Sequence, residues 1–284
     1  MPGCLYIVST PIGNLGDITL RAIETLKSVD FVAVEDTRIA RKLFARFGIS
    51  TKMHILNKDN EVASSQGIIS SLVAGESVAL ISDAGTPLIH DPGHMLVADA
   101  RSSGIQVVPI PGPCALIAAL SVSGLEANNF MYCGFLNAKK SVLVKELELL
   151  QDEVKTLVFY EAPHRLLKTL LAMSEVFGGD RIVVLARELT KIHEEVVSTT
   201  LHELVKRVES GIVVVKGEMV IMVHGAKKIK VNICSEQLVS VEKFLACSLA
   251  KLSVKDAAKL AVDVLGIPHN QAYEKCLKIK DDGL

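Results

Sequence analysis

The 284-residue chain has almost no net charge, no Cys-x-x-Cys pair, no uninterrupted apolar run of membrane length and none of the familiar nucleotide fingerprints. Lys and Arg number 31 against 32 Asp and Glu, a net charge of −1, so attraction to nucleic acid must come from a local basic patch. Six cysteines (Cys4, Cys114, Cys133, Cys234, Cys247, Cys276) are scattered, which favours reduced thiols in a cytoplasm over disulfides or zinc. His90 and His94 lie four apart, but Asp91-Pro92-Gly93 between them forbids a shared helical face. No third ligand is suggested, so no metal is expected. Mean hydropathy is +0.37. Residues 102–125 carry no charge, yet Pro109, Pro111, Gly112 and Pro113 interrupt them, and the apolar run 115–120 is too short to span a bilayer. The apolar stretch at Leu5 has no basic segment ahead of it and is not expected to be a signal peptide. The G-x-G-x-x-G fingerprint, the P-loop and the G-x-S-x-G elbow are missing, which argues against a dehydrogenase, a P-loop nucleotide hydrolase and a serine hydrolase. There is no repeat of solenoid length.

What remains is an ordinary folded composition, 49% hydrophobic and 22% charged, long enough for two domains or one large one. Short continuous apolar runs at 5–10, 31–34, 78–81 and 105–110 read as strands covered on both faces. Helices are expected between them. Asp17 can cap one carrying Leu20, Ile23 and Leu26. Others span 37–47 up to Gly48, 67–73 up to Gly75, and 94–103. This alternation predicts a parallel sheet. The punctuation Pro109-Ile110-Pro111-Gly112-Pro113, followed by a helix at 114–122, marks a boundary. Beyond it, strands at 130–135, 156–160, 181–186 and 218–224 and helices at 139–150, 164–177 and 200–210 predict a mixed-sheet domain. Helices at 237–252, 254–265 (opened by Ser253 and Asp256 as a capping box) and 270–280 form a helical appendage. The expected fold is therefore α/β: two α/β domains, 1–112 and 113–228, with a cleft between them, and a helical tail over 229–284.

The segment Ser82 to Gly93 follows a strand and holds two Pro, two Gly and two Asp at a position where parallel sheets bind ligands. Its backbone is tightly prescribed, and it reads as a small-molecule cradle. Ser9-Thr10-Pro11-Ile12-Gly13-Asn14-Leu15-Gly16-Asp17 also joins a strand to a helix. Pro11 removes a donor where a phosphate cradle needs one, so a neutral or zwitterionic ligand suits it better than a polyphosphate; a plain tight turn suits it equally. With Pro111 to Ala115, these loops could wall a cleft between domains. Arg38, Arg41, Lys42 and Arg46 share one helical face starting at a strand end. That stripe is either a solvated face or a phosphate-binding surface. Glu161 and Arg165 suit a cap or a surface pair, and Arg187 with Glu188 an ion pair.

Together, Thr10 to Thr19, Glu35 to Arg38, Ser82 to Gly93, Pro109 to Ala119, Leu157 to Arg165 and Leu185 to Glu195 resemble the tetrapyrrole-methylase superfamily of class III methyltransferases, over nearly the whole chain. Within it, the resemblance is to members that 2′-O-methylate a cytidine ribose in 16S rRNA of the small ribosomal subunit with S-adenosylmethionine. It implies a cytoplasmic homodimer with the cofactor in the interdomain cleft. It also implies cofactor contacts at Pro11, Ile12 and Gly13, at Asp83, Gly85, Thr86, Pro87 and Ile89, at Cys114 and Ala115, and at Tyr160, Leu189 and Thr190. A ribose hydroxyl needs a base or a charge near the developing alkoxide. Glu35, Asp36, Glu161, Glu188 and Lys191 qualify, with Glu161 and Lys191 preferred. RNA phosphates would meet Arg38, Arg41, Lys42 and Arg46. Departures from the family pattern at residues 56–61, His90 and residues 133–139 are expected nearer the acceptor than the cofactor. Two other readings remain: a methyltransferase for a tetrapyrrole or other small acceptor, and a non-catalytic RNA-binding assembly protein.

Overall fold

The computed structural model describes residues 2–227 and 241–281. The chain opens with β1 (Cys4–Val8), α1 (Leu20–Ser28), β2 (Phe31–Val34), α2 (Thr37–Phe47), β3 (Lys52–Ile55), α3 (Glu61–Val73), β4 (Val78–Leu80), α4 (His94–Ser102), β5 (Gln106–Ile110) and α5 (Ala115–Ser123). The first sheet is wholly parallel in the order β3-β2-β4-β1-β5. Apolar strand residues face both ways, as expected under helices on both sides. Val32 and Val34 pack with Leu26, Leu43 and Phe44, whereas Phe31 and Ala33 pack with Ile68, Leu72 and Leu96.

Four local expectations need correction. Asp17 does not cap α1. It lies in a 3-10 turn, and Thr19 is the cap, accepting from the Ala22 amide. β3 has no apolar run, because it is an edge strand with Lys52 and His54 exposed, and the hydrophobic pattern does not reveal it. α3 starts six residues before the expected Gly67. Its first turns carry Ser64 and Ser65 and lack a side-chain cap, so propensity hides them. The sequence pattern likewise gives no strand where β9, described next, lies.

Continuing, β6 (Phe130–Phe135), α6 (Lys140–Glu148), β7 (Thr156–Glu161), α7 (Leu166–Phe177), β8 (Ile182–Arg187), β9 (Glu195–Thr200), α8 (Leu201–Glu209) and β10 (Met219–Val223) follow. Their sheet runs β6-β7-β10-β8-β9 and is mixed: only β6 and β7 pair in parallel. Its two faces are again both covered. Leu157, Phe159, Leu185 and Ile221 pack beneath α6, α7 and α8, while Val158, Val184 and Val220 pack against Leu116, Ala119 and Leu120 of α5. Each fully buried Leu, Ile, Val or Phe contributes roughly 1.5–3 kcal/mol.

All of this forms one compact unit ending at Lys227. The second unit holds α9 (Val241–Leu249), α10 (Val254–Leu265) and α11 (His269–Asp281), with a core of Leu245, Ala257, Ala258, Ala261, Ala272 and Cys276. Ser253 caps α10 through the Asp256 amide at 3.2 Å and donates to its carboxylate at 2.6 Å. The expected helix start at 237 lies outside the described residues.

Candidate functional site

Three strand-end loops of the first sheet are tied together by short polar contacts. Thr10 and Gly85 exchange backbone hydrogen bonds at 2.8 and 3.0 Å. The Thr86 hydroxyl donates to the Pro113 carbonyl at 3.0 Å, so at 2.9 Å Ser9 Oγ must be the donor to Thr86 Oγ1. Gly85 sits at φ +83, where its missing Cβ would lie 3.3 Å from Ile12 Cγ2. At the loop's far end, the Glu61 carboxylate accepts from the Gly93 and Met95 amides at 2.9 and 3.2 Å, supplying the cap that Gly93 cannot give α4.

Among the described residues, the non-glycine residues with left-handed backbone are Leu88, His90, Glu188 and Thr190. All four belong to two loops, 82–93 and 188–194, at the ends of β4 and β8. Such strain costs on the order of 1–3 kcal/mol per residue and gathers where a site requires a fixed shape.

Between the two sheets lies a cavity of about 380 Å³. The first sheet contributes Ile12 and residues 84–86 and 89–91. α5 contributes Cys114 and Ala115, and the second sheet contributes Phe135, residues 160–163, Ala186, Leu189 and residues 217–220. Its size and largely apolar wall suit a small organic ligand. Tyr160 Oη accepts the Leu116 amide at 3.1 Å. The Tyr132 and Tyr160 rings meet edge to face at 5.1 Å. Burial pushes both phenols up, Tyr132 to about 12, so both stay neutral at physiological pH. Asp91 on the opposite wall is also pushed above the ordinary carboxylate value, first by burial.

A second cavity, about 260 Å³, adjoins the first and shares Ile12, Ala84 and Glu218 with it. Its wall carries Pro11, Gly13, Ile39, Lys42, Leu43, Glu35, Asp83 and Lys191. Burial, then the neighbouring Asp83 and Asp91, hold the Glu35 carboxyl above its ordinary value. Asp83 is raised likewise, although its Oδ1 accepts the Asp36 amide at 3.1 Å. Lys191 Nζ lies 2.8 Å from Glu188 and 3.3 Å from Glu218. Burial alone would lower its pKa, but these carboxylates outweigh it and keep the group an ammonium.

Of the residues expected at the cofactor, Ile12, Gly85, Thr86, Ile89, Cys114, Ala115, Tyr160 and Leu189 line the larger cavity. Pro11, Gly13 and Asp83 line only the smaller one, and Pro87 and Thr190 line neither. Thr190 Oγ1 is nevertheless buried without a partner among the described residues, 2.9 Å from where a Cβ on Gly13 would stand. Glu161 lines the larger cavity and Lys191 the smaller. Arg38, Arg41, Lys42 and Arg46 are all exposed on α2, and Lys42 reaches the smaller cavity. Two expected pairings differ. Arg187 pairs with Glu195 at 2.8 Å instead of Glu188, because β9 lies beside β8. Glu161 is 3% exposed and its pair with Arg165 is internal, not a surface pair. His90 and Phe135, expected nearer the acceptor, meet on the wall of the larger cavity at 4.7 Å between ring centroids. The sequence pattern does not mark residues 217–220 as site residues, because β10 is antiparallel. Its start, not its end, lies beside the carboxyl ends of β7 and β8.

The family model described as Tetrapyrrole (Corrin/Porphyrin) Methylases matches residues 4–205. A Pseudomonas aeruginosa protein named ribosomal RNA small subunit methyltransferase I is 48% identical over 278 residues, covering 97% of both chains. A protein of the same name from Escherichia coli O157:H7 is 45% identical over 276 residues, covering 97% of this chain and 95% of that one. Among solved structures, diphthine synthase aligns over 78% of this chain and 90% of its own with a TM-score of 0.60 and 16% identity. Uroporphyrin-III-C-methyltransferase from Thermus thermophilus aligns over 78% and 94% with a TM-score of 0.55 and 20% identity. These two likenesses concern the fold alone.

Proposed function

Because the chain belongs to the tetrapyrrole (corrin/porphyrin) methylases, we propose that it is an S-adenosylmethionine-dependent methyltransferase acting on a cytidine ribose 2′-hydroxyl in 16S rRNA of the small ribosomal subunit. The observation that carries this reading is the pair of adjoining cavities with a shared wall at Ile12, Ala84 and Glu218. One holds the Gly85 turn and the Asp91 carboxyl; the other holds Glu35, Asp83 and Lys191 and is bordered by a basic helix. The names of the 45–48% identical relatives support ribosomal RNA as the acceptor.

The larger cavity fits the cofactor. At Gly85 a backbone without Cβ can approach a ligand closely, the Asp91 carboxyl stands in the wall, and Ile12, Ile89, Phe135, Leu189 and Val220 give it apolar surface. S-adenosylmethionine, when bound, supplies an electrophilic methyl group. The protein's part is alignment and exclusion of water. Ile12, Gly85, Thr86, Ile89, Cys114, Ala115, Tyr160 and Leu189 would hold the cofactor, with Pro11, Gly13, Asp83, Pro87 and Thr190 bracing the loops around it. In the smaller cavity, the Lys191 ammonium would stabilise charge developing on the ribose oxygen. Glu35, held above the ordinary carboxylate value, would be better matched than an exposed carboxylate to take its proton.

We place the boundary between the two α/β domains at Gly112, since α5 beyond it packs on the second sheet, and the tail beyond 228. A cytoplasmic homodimer is the assembly proposed, and sedimentation of the purified protein tests it. Among the described residues no helix is long and apolar enough to cross a membrane. Titration calorimetry tests the cofactor directly: one S-adenosylmethionine should bind per protomer, and absence of heat with correctly folded protein would remove the catalytic reading.

The acids of the cleft give this binding a pH dependence. Asp91, Glu35 and Asp83 have ordinary values of 3.8, 4.5 and 3.8, and all three are raised in the folded protein, foremost by burial. A raised carboxyl favours the free fold below its ordinary value, and that contribution is lost as pH climbs through the raised value. A sulfonium cation favours the ionised forms, so its affinity should rise over the same window. Ser82, Lys58 and His90 partly oppose the rise at Asp91. Calorimetry from pH 4 to 7 should show S-adenosylmethionine tightening by about tenfold, equivalent to about 1.4 kcal/mol. S-adenosylhomocysteine, which lacks the sulfonium charge, should show a shallower slope, as should Asp91→Asn with the natural cofactor. Equal slopes in all three would separate Asp91 from the ligand.

A further inference from the structure

Glu161 is the most deeply buried charged group on the wall of the larger cavity, and its oxygens are engaged. Oε1 accepts the Ala162 amide at 2.8 Å and lies 3.3 Å from Arg165 Nε; Oε2 accepts the Thr169 hydroxyl at 2.5 Å. Two hydrogen bonds and one ion pair thus tie the carboxylate to the start of the following helix. The partners lead elsewhere. Arg165 Nη2 donates to the Leu136 carbonyl at 2.5 Å, and Lys168 Nζ to the Ala138 carbonyl at 2.6 Å. Two cations from the start of α7 thus hold the chain leaving β6.

The end of β6 needs such a hold. A bulge between Tyr132 and Gly134 breaks its register with β7, and Gly134 adopts φ +66. A bulge re-aims the side chains beyond it. Here it turns Phe135 into the cavity, 5.7 Å from the Tyr160 ring and 4.7 Å from the strained His90 of the first sheet. His90 and Phe135 therefore meet across the cavity from opposite sheets.

We propose that Glu161 is a positioning residue: through Arg165 and the Leu136 carbonyl it fixes Phe135 against His90, and this pair closes the cofactor cavity. The proposal rests on the cofactor reading above and replaces the proton-acceptor role expected for Glu161. No proton leaves or reaches Glu161 in the reaction.

The test combines cofactor binding with the pH profile of methyl transfer to small subunits, in Glu161→Gln, Arg165→Met and Phe135→Leu. Positioning predicts that each variant weakens S-adenosylmethionine by roughly tenfold. It further predicts that Glu161→Gln with Arg165→Met is no worse than either alone, because both cut one strut. The pH profile of kcat should keep its shape in all of them. If Glu161→Gln instead leaves the Kd unchanged, lowers kcat a hundredfold or more and flattens the acidic limb, Glu161 is the base and the proposal fails. Phe135→Leu changes a partly exposed side chain outside the strut, so it remains informative should Glu161→Gln not fold; an unchanged Kd in it and in Arg165→Met also overturns the proposal. Failure of the wild-type protein to bind S-adenosylmethionine would strike the cofactor reading itself, an outcome distinct from these.

Discussion

Gly85→Val should fold and lose S-adenosylmethionine binding by about a hundredfold or more. Gly85 holds φ +83, a region in which a β-branched residue is a strong outlier, and it exchanges two backbone hydrogen bonds with Thr10. A Cβ there would stand 3.3 Å from Ile12 Cγ2, and valine adds two branches beyond it. The backbone must either yield, which breaks the Thr10 contact, or hold and fill the cavity. Strain of about 1–3 kcal/mol would lower the melting temperature by several degrees without unfolding a core of this size. The loss of affinity combines that distortion with occupied space, and about 2.7 kcal/mol corresponds to a hundredfold. Gly85→Ala should lose less, since its single methyl is still in near contact with Ile12. Wild-type affinity in the folded valine variant, measured by calorimetry, would move the cofactor out of this cavity.

Reversing two charges on α2 should weaken RNA binding by ten- to a hundredfold while leaving the cofactor untouched. Arg41 and Lys42 are exposed, and Lys42 reaches the smaller cavity, so phosphates beside the reacting ribose would meet them. Arg38 is a poorer choice. Its guanidinium grips Asp36, whose carboxyl is held down to about 2 by that contact. In Arg41→Glu with Lys42→Glu, log K for small-subunit RNA should fall, and its slope against log salt should shrink by roughly 1–2, as two phosphate contacts disappear. Phosphate contacts place the RNA and do not build the cofactor cavity, so calorimetry with S-adenosylmethionine should match wild type. An unchanged affinity and salt slope would make the stripe an ordinary solvated face and shift the RNA surface elsewhere.

The alternation of continuous apolar runs and helical periods is enough to expect a parallel first sheet, because strands buried on both faces have no polar alternation to confuse the pattern. The edge strands β3 and β9 have an exposed side, and their Lys52, His54 and Glu195 obscure them. The cradle at residues 83–93 is legible because Pro and Gly announce constrained backbone. The strain at Leu88 is not, since leucine gives no signal of a left-handed conformation. Residues of the second sheet are harder. Gly217 and Glu218 precede an antiparallel strand, so a rule looking to carboxyl ends passes them by. Phe135 reaches the cavity only through the bulge at Tyr132/Gly134, a tertiary feature with no local signature beyond one glycine. Glu161 shows the same limit in energetic terms. Its position at a strand end marks it as chemically interesting, but only its two hydrogen bonds and its ion pair with Arg165 point to a strut.

The activity to be tested is methyl transfer from the cavity between the two sheets to ribosomal RNA. The most direct measurement supplies tritiated S-adenosylmethionine and small ribosomal subunits from a strain lacking the enzyme, with magnesium constant to keep the subunits folded, and maps the modified nucleotide. Label should enter 16S rRNA at one cytidine, on the ribose 2′-oxygen, and Gly85→Val should abolish it. Label absent from the RNA despite bound cofactor, or entering a small-molecule acceptor instead, would rule out ribosomal RNA as the acceptor.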